Sequence, residues 1–251
     1  MKGPQVSITV TDLTLRFPVY GVDAKSLKKR LASITVGGKL GRTMTGATEV
    51  TALSKVNMKL KAGDRLGLIG HNGSGKTTLL RALSGAYEPD EGTIDVHGQI
   101  AALLDLNLGI DPSATGLDNI RLRGRIAGLT AREIEDKLEE IAEFTGLGPF
   151  LAMPLKTYSA GMQARLAFAV STAVEADVIL MDEWIAVGDA DFQKIAHKRL
   201  LGLMERAGIL VLASHDLDLI RLYCNKVMRI EGGVASPVTD VKKLDELLAA
   251  A

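Results

Sequence analysis

Eight consecutive residues constrain this chain more than any others: Gly70-His71-Asn72-Gly73-Ser74-Gly75-Lys76-Thr77. They fit the spacing G-x-x-x-x-G-K-[ST], and they follow the apolar run Leu66 to Ile69. After them comes Thr77-Thr78-Leu79-Leu80-Arg81-Ala82-Leu83-Ser84-Gly85, which reads as a helix closed by a C-terminal glycine. Strand, glycine loop and helix in this order let successive backbone N–H groups face one anion, and the helix adds the positive end of its dipole. The reading is a phosphate cradle running from Gly70 through His71, Asn72, Gly73, Ser74, Gly75, Lys76 and Thr77 to Thr78. In it Lys76 reaches the β- and γ-phosphates of a nucleotide, and Thr77 ligates Mg²⁺.

Two further segments extend this chemistry. Val178-Ile179-Leu180-Met181 is a buried-strand run that ends on Asp182 and Glu183, where open α/β sheets keep their ligands. Asp182 suits Mg²⁺ through water, and Glu183 suits a base that orients and deprotonates the water attacking a γ-phosphate. Ser159 is a good N-cap for the helix Ala160 to Val174, and the small residues Ala160 and Gly161 leave the N–H groups of its first turn open to a phosphate.

The rest of the chain fits an α/β fold. Residues 5–17 alternate apolar and polar as edge strands do, Val50 to Leu60 reads as another strand, and Ile209 to Ala213 as a second buried one. Between about 113 and 174 the pattern is helical. There Thr130 and Glu133 form a capping box, Ile134, Leu138, Ile141 and Phe144 share a face, and Gly146 closes the helix. This stretch is an insertion within a single domain spanning 1–251.

Charge is uneven although its sum is zero. Residues 1–50 carry 8 Lys and Arg against 3 Asp and Glu, leaving 22 against 27 for the remainder. The excess lies in a segment, 21–48, where Lys25, Lys28, Lys29 and Arg30 surround Leu27, Leu31 and Ile34 on a short basic amphipathic helix. Such a patch suits an anionic membrane surface or an acidic partner as well as it suits a solvated loop. The single cysteine, Cys224, excludes an intrachain disulfide, and no apolar run is long enough to span a bilayer.

The order of phosphate loop, Ser159 segment and Asp182-Glu183 strand resembles the ATP-binding-cassette (ABC) ATPases over nearly the whole chain. That resemblance implies ATP with Mg²⁺, a P-loop cassette with a RecA-like core sheet, an N-terminal antiparallel β subdomain and an inserted helical subdomain. The family signature, Leu-Ser-Gly-Gly-Gln, is here Tyr158-Ser159-Ala160-Gly161-Met162-Gln163, which keeps the serine and second glycine but carries a hydrophobic residue before Gln163. The family also implies a head-to-tail dimer in which each ATP lies between one chain's P-loop and the partner's Ser159, Gly161 and Gln163. Asp189 falls where the D-loop aspartate belongs, and His215 where the switch histidine meets the γ-phosphate. The glutamine expected after the second strand is missing, with Asp105 or Asn107 nearest, and Phe17 and Tyr20 are the candidates for stacking on adenine.

Three segments are similar to the ATP-binding subunits that export O-antigen, capsular polysaccharide or teichoic acid: Trp184 to Gln193, Leu103 to Ile120 and Tyr158 to Ala169. This implies a separate transmembrane permease as partner and a peripheral position on the cytoplasmic face of the membrane. A nucleic-acid or ribosome role is disfavoured, because the insertion is short and holds no sustained heptads. A solute importer would share every catalytic motif and differ in those three segments.

Overall fold

The computed structural model describes residues 6–19, 39–42, 48–104, 109–184 and 187–249. The chain forms two compact units, the first from Met1–Gly98, Leu180–Glu183 and Gly208–Ala251, the second from Gln99–Ile179 and Trp184–Ala207. Of segment 21–48 only residues 39–42 and 48 are described, so the basic helix expected near Lys25 lies outside the described residues.

The first unit opens with an antiparallel sheet in the order β2-β3-β1-β5: β1 (Ser7–Val19), β2 (Lys39–Arg42), β3 (Thr48–Lys61) and β5 (Glu91–His97). Along β1 the buried hydrophobic residues are Ile8 and Val10, then Leu13 and Leu15, so their alternation changes parity once. The pairing with β3 shifts register between Val10 and Leu13, and Asp12 there has φ 48°. Asn57 holds this bulge, its Oδ1 accepting from Asp12 N and its Nδ2 donating to Asp12 Oδ1, each at 2.9 Å. One extra residue thus keeps both halves of β1 facing the same core. Each fully buried Ile or Leu there contributes about 1.5–3 kcal/mol.

The second sheet carries the site. Its strands in this unit are ordered β10-β9-β4-β8-β7, with β11 against β9. They are β4 (Arg65–Ile69), β7 (Val178–Asp182), β8 (Ile209–Ala213), β9 (Lys226–Glu231), β10 (Val234–Ala235) and β11 (Thr239–Asp240). β4 runs parallel to both β8 and β9, which brings the C-terminal ends of these strands to one edge. Helix α1 (Lys76–Leu83) buries Leu79, Leu80, Ala82 and Leu83. The last turns of the chain include a short helix anchored by buried Leu244. Gly67 admits close packing on β4, since a Cβ there would lie 2.7 Å from Ile220 Cγ2. Cys224 is buried beside it, and burial pushes its thiol up to about 12.

The second unit is mostly helical: β6 (Ile100–Leu103), α2 (Gly116–Ile126), α3 (Ala131–Thr145), α4 (Ala160–Ser171) and α5 (Ala190–Arg206). β6 is set beside the start of β7, where Gln99 O accepts from Asp177 N and Val178 N. The capping box of Thr130 and Glu133 is present, and Gly146 ends α3 at φ 64°. Phe144, Phe168 and Phe192, one each from α3, α4 and α5, form a cluster with ring centroids 5.6–6.3 Å apart. Two guanidiniums lie over it, Arg199 at 4.3 Å from the Phe144 centroid and Arg165 at 4.9 Å from that of Phe192. Gly116 lets α2 approach Tyr158, whose buried hydroxyl donates to Phe150 O at 2.6 Å.

Candidate active site

The loop after β4 is shaped by backbone conformations that side chains resist. Gly70 has φ 145°, and a Cβ there would fall 2.1 Å from Ile230 O. Gly73 and Gly75 have φ 78° and 117°, and Gly75 caps α1 with no side-chain hydrogen bond to the helix. The first N–H groups of α1 therefore have no capping side chain and suit a phosphate. Lys76 is 6% exposed, and its Nζ donates to Gly70 O at 2.7 Å and His71 O at 3.1 Å. The ammonium is thereby held over the loop. His71 is exposed, with Nδ1 2.8 Å from Asn72 O. Ser74 is fully buried, and its hydroxyl has no hydrogen-bond partner among the described residues.

A cavity of about 380 Å³ opens above this loop, lined by Asn72, Gly73, Gly75, Lys76, Thr77, Thr78, Asp182 and Glu183. Two sequence motifs about a hundred positions apart thus wall one space. The hydroxyl of Thr77 and the carboxylate of Asp182 are the hard oxygen donors Mg²⁺ prefers, so the residues present fit that ion.

Glu183 leaves β7 with φ 70°, a left-handed conformation, and its N–H donates to Ala213 O at 2.8 Å. Its side chain is held at one oxygen. Ser214 Oγ donates to Glu183 Oε2 at 3.1 Å, and His215 Nδ1 lies 3.0 Å from the same atom. The hydrogen bond to Glu183, and next its charge, raise the His215 pKa above the ordinary imidazole value. Ser214, 1% exposed, also accepts from Asp216 N at 3.1 Å, and Asp216 in turn caps the helix Leu217–Tyr223. The sequence points to His215 and not to Ser214. A serine two positions before a capping aspartate was the available signal.

The second unit holds the other candidates. Ser159 caps α4, its Oγ accepting from Met162 N at 3.3 Å, and Ser159, Ala160 and Gly161 are exposed. A Cβ on Gly161 would meet nothing nearer than Ser159 Oγ at 3.9 Å, so this helix start is open. The Gln163 amide donates to Leu155 O at 3.3 Å and Tyr158 O at 3.5 Å, carbonyls of the turn just ahead of α4. Asp189 caps α5 through Phe192 N at 3.0 Å and pairs with Arg165. Its carboxyl is held below the usual range, chiefly by the Phe192 N–H.

Of the aromatic candidates, Phe17 is described, half-buried at the edge of β1 with its ring against Tyr87 at 5.2 Å. Tyr87, a second aromatic at that edge, was not singled out from the sequence. Tyr20, Asp105 and Asn107 lie outside the described residues.

A glycine phosphate cradle, a carboxylate pair at the end of another strand of the same sheet and a helical unit between them in sequence define a P-loop ATPase of the cassette type. Residues 53–186 match the ABC transporter family, and the chain belongs to it as an ABC ATPase. It is 39% identical over 228 residues to the O-antigen export system ATP-binding protein RfbE of Yersinia enterocolitica, covering 91% of this chain and 95% of that one. It is 40% identical to RfbB of Myxococcus xanthus, also an O-antigen export system ATP-binding protein, and 34% identical to the teichoic acids export ATP-binding protein TagH of Bacillus anthracis. Those matches cover 76% and 77% of this chain but only 44% and 35% of the two relatives, so this chain corresponds to under half of either. Among solved structures, a post-hydrolysis dimer of an ATP-binding cassette bound to ADP and Pi superposes with TM-score 0.66 at 19% identity. That match covers 93% of this chain and 98% of the other, a likeness of fold.

Proposed function

We propose that this ATPase powers export of a lipid-linked cell-surface polysaccharide, of the O-antigen or capsule kind, through a separate transmembrane permease. The observation that carries the reading is the match to RfbE along almost the full length of both chains. No helix among the described residues is long and apolar enough to cross a membrane, which suits a subunit peripheral to the cytoplasmic face.

In this reading Lys76 and the N–H groups of the loop and α1 bind the phosphates of ATP, and Thr77 with Asp182 holds Mg²⁺. When bound, that ion neutralises charge building on the phosphate oxygens. Glu183 orients the attacking water and accepts its proton, while His215 addresses the γ-phosphate. Ser159, Gly161, Gln163 and Asp189 complete the site of a second copy in a head-to-tail dimer, and adenine stacks on Phe17 or Tyr20. Asp105 or Asn107 stands in for the missing glutamine, and the basic segment 21–48 meets the anionic leaflet or the permease.

Disrupting the gene and restoring it with wild-type or Glu183→Gln protein tests the export role. Surface polysaccharide should return with wild type alone, and its undiminished display in the disrupted strain would overturn the reading. Mixing Ser159→Arg with Lys76→Ala chains tests the dimer, because a head-to-tail arrangement leaves one of two composite sites intact. Partial ATPase activity should then reappear, and confirmed mixing without it would exclude that arrangement.

A further inference from the structure

Arg165 falls in the segment Tyr158 to Ala169 without a role read from the sequence, yet it ties α4 to the start of α5. It lies six residues after Ser159, about 9 Å along α4 at the usual helical rise. Its guanidinium forms an ion pair with Asp189, the cap of α5, and covers the Phe192 ring at 4.9 Å. The work of the Asp189 carboxylate is divided: Oδ1 accepts from Phe192 N at 3.0 Å, and Oδ2 accepts from Arg165. The preceding residue is drawn to the same ring, since Gly188 has φ 73° and a Cβ there would sit 2.9 Å from Phe192 Cδ1.

Stability gives a weak reason for this pair. The Asp189 side chain is 63% exposed and that of Arg165 23%, so solvent screens their attraction. α4 and α5 are already joined through Phe168 and Phe192 at 6.3 Å. What the pair adds is direction, because a guanidinium clamped over a ring and onto a carboxylate fixes where the Asp189 turn stands relative to the start of α4.

We propose that Arg165 is a positioning residue that ties the Asp189 turn to the Ser159 helix, so that the two elements one protomer offers to its partner's nucleotide are presented together. This rests on the head-to-tail reading above. A composite site assembled from two slack elements would lose the pre-organisation that speeds the chemical step.

The test uses the purified full-length chain with Arg165→Met, Arg165→Lys, Asp189→Asn and the double variant Arg165→Met/Asp189→Asn. Asparagine still accepts from Phe192 N, so the α5 cap survives and the charge pair alone is lost, which keeps the test open should Arg165→Met fail to fold. Arg165→Met and Asp189→Asn should each lower kcat about tenfold, and the double variant should be no slower than the slower single. Affinity of the monomer for a fluorescent ATP analogue should stay within about twofold, since the P-loop is untouched. Arg165→Lys, which keeps the charge but not the planar fork over the Phe192 ring, should recover only part of the lost rate. In a Glu183→Gln background, ATP-driven dimerisation measured by sedimentation should weaken with Arg165→Met. Undiminished kcat in Arg165→Met or Asp189→Asn would overturn the proposal, as would losses that multiply in the double variant. Ser159→Arg separates this from the reading beneath it. An active Ser159→Arg enzyme removes the head-to-tail site itself, whereas an inactive one beside a full-speed Asp189→Asn enzyme removes only the role of Arg165.

Discussion

His215 Nδ1 lies 3.0 Å from Glu183 Oε2, which makes the proposed base and the proposed γ-phosphate sensor partners of each other. The two reach this contact from the ends of neighbouring strands, β7 and β8, with Ser214 bonded to the same oxygen. Contact with Glu183 favours the imidazolium, so the folded pKa of His215 stands above its unfolded value of 6.5. The stabilisation is fully present below that value and fades as pH rises through the folded one. It is small, because the His215 side chain is 78% exposed. In proton NMR of the nucleotide-free chain, the His215 midpoint should move down in Glu183→Gln. An unmoved midpoint would mean the pair does not form in solution.

Glu183→Gln should leave nucleotide binding intact, because the loop, Lys76 and α1 are unaltered, yet slow phosphate release by about 10²-fold or more. Gel filtration should find the variant trapped as a dimer with ATP. Turnover near the wild-type rate would take the base role from Glu183.

Lys76→Ala removes the ammonium that bridges the Gly70 and His71 carbonyls and faces the cavity. Binding of a fluorescent ATP analogue should weaken by about tenfold or more, since a charge-assisted contact to phosphate is lost. Unchanged affinity would place the phosphates elsewhere.

Gly116→Ala tests packing rather than chemistry. The added Cβ would lie 2.3 Å from Tyr158 Oη and 3.1 Å from Leu151 Cα, so thermal unfolding should register a loss of about 1–3 kcal/mol from overpacking. Tyr158→Phe alone should cost about 1 kcal/mol through the bond to Phe150 O. Combining the two should cost less than their sum, because the oxygen that clashes is gone.

Legibility in the sequence followed how local the cause was. The P-loop, the Thr130–Glu133 box and the Gly146 stop are written in adjacent residues, and each appears in the structure where its spacing puts it. The buried runs of β4, β7 and β8 were equally plain, being apolar throughout. β9 escaped notice because Lys226 and Arg229 interrupt its buried Val227, Met228 and Ile230. Only the folded chain shows Lys226 paired with Asp64 and Arg229 with Glu231. Arg165 was illegible for a related reason. Its partner stands 24 positions away on another helix, and nothing in the periodicity of α4 distinguishes a clamped arginine from a solvated one.

The thiol of Cys224 bears on how the proposed dimer can be watched. The only sulfhydryl in the chain is buried and titrates near 12, so almost none of it is thiolate at neutral pH, and maleimides should pass it by. A cysteine introduced at exposed Lys242 would then take a fluorophore alone, without first mutating the native residue. Two differently coloured batches of the otherwise unaltered enzyme could report by energy transfer each time ATP draws a pair of copies together and hydrolysis lets them part.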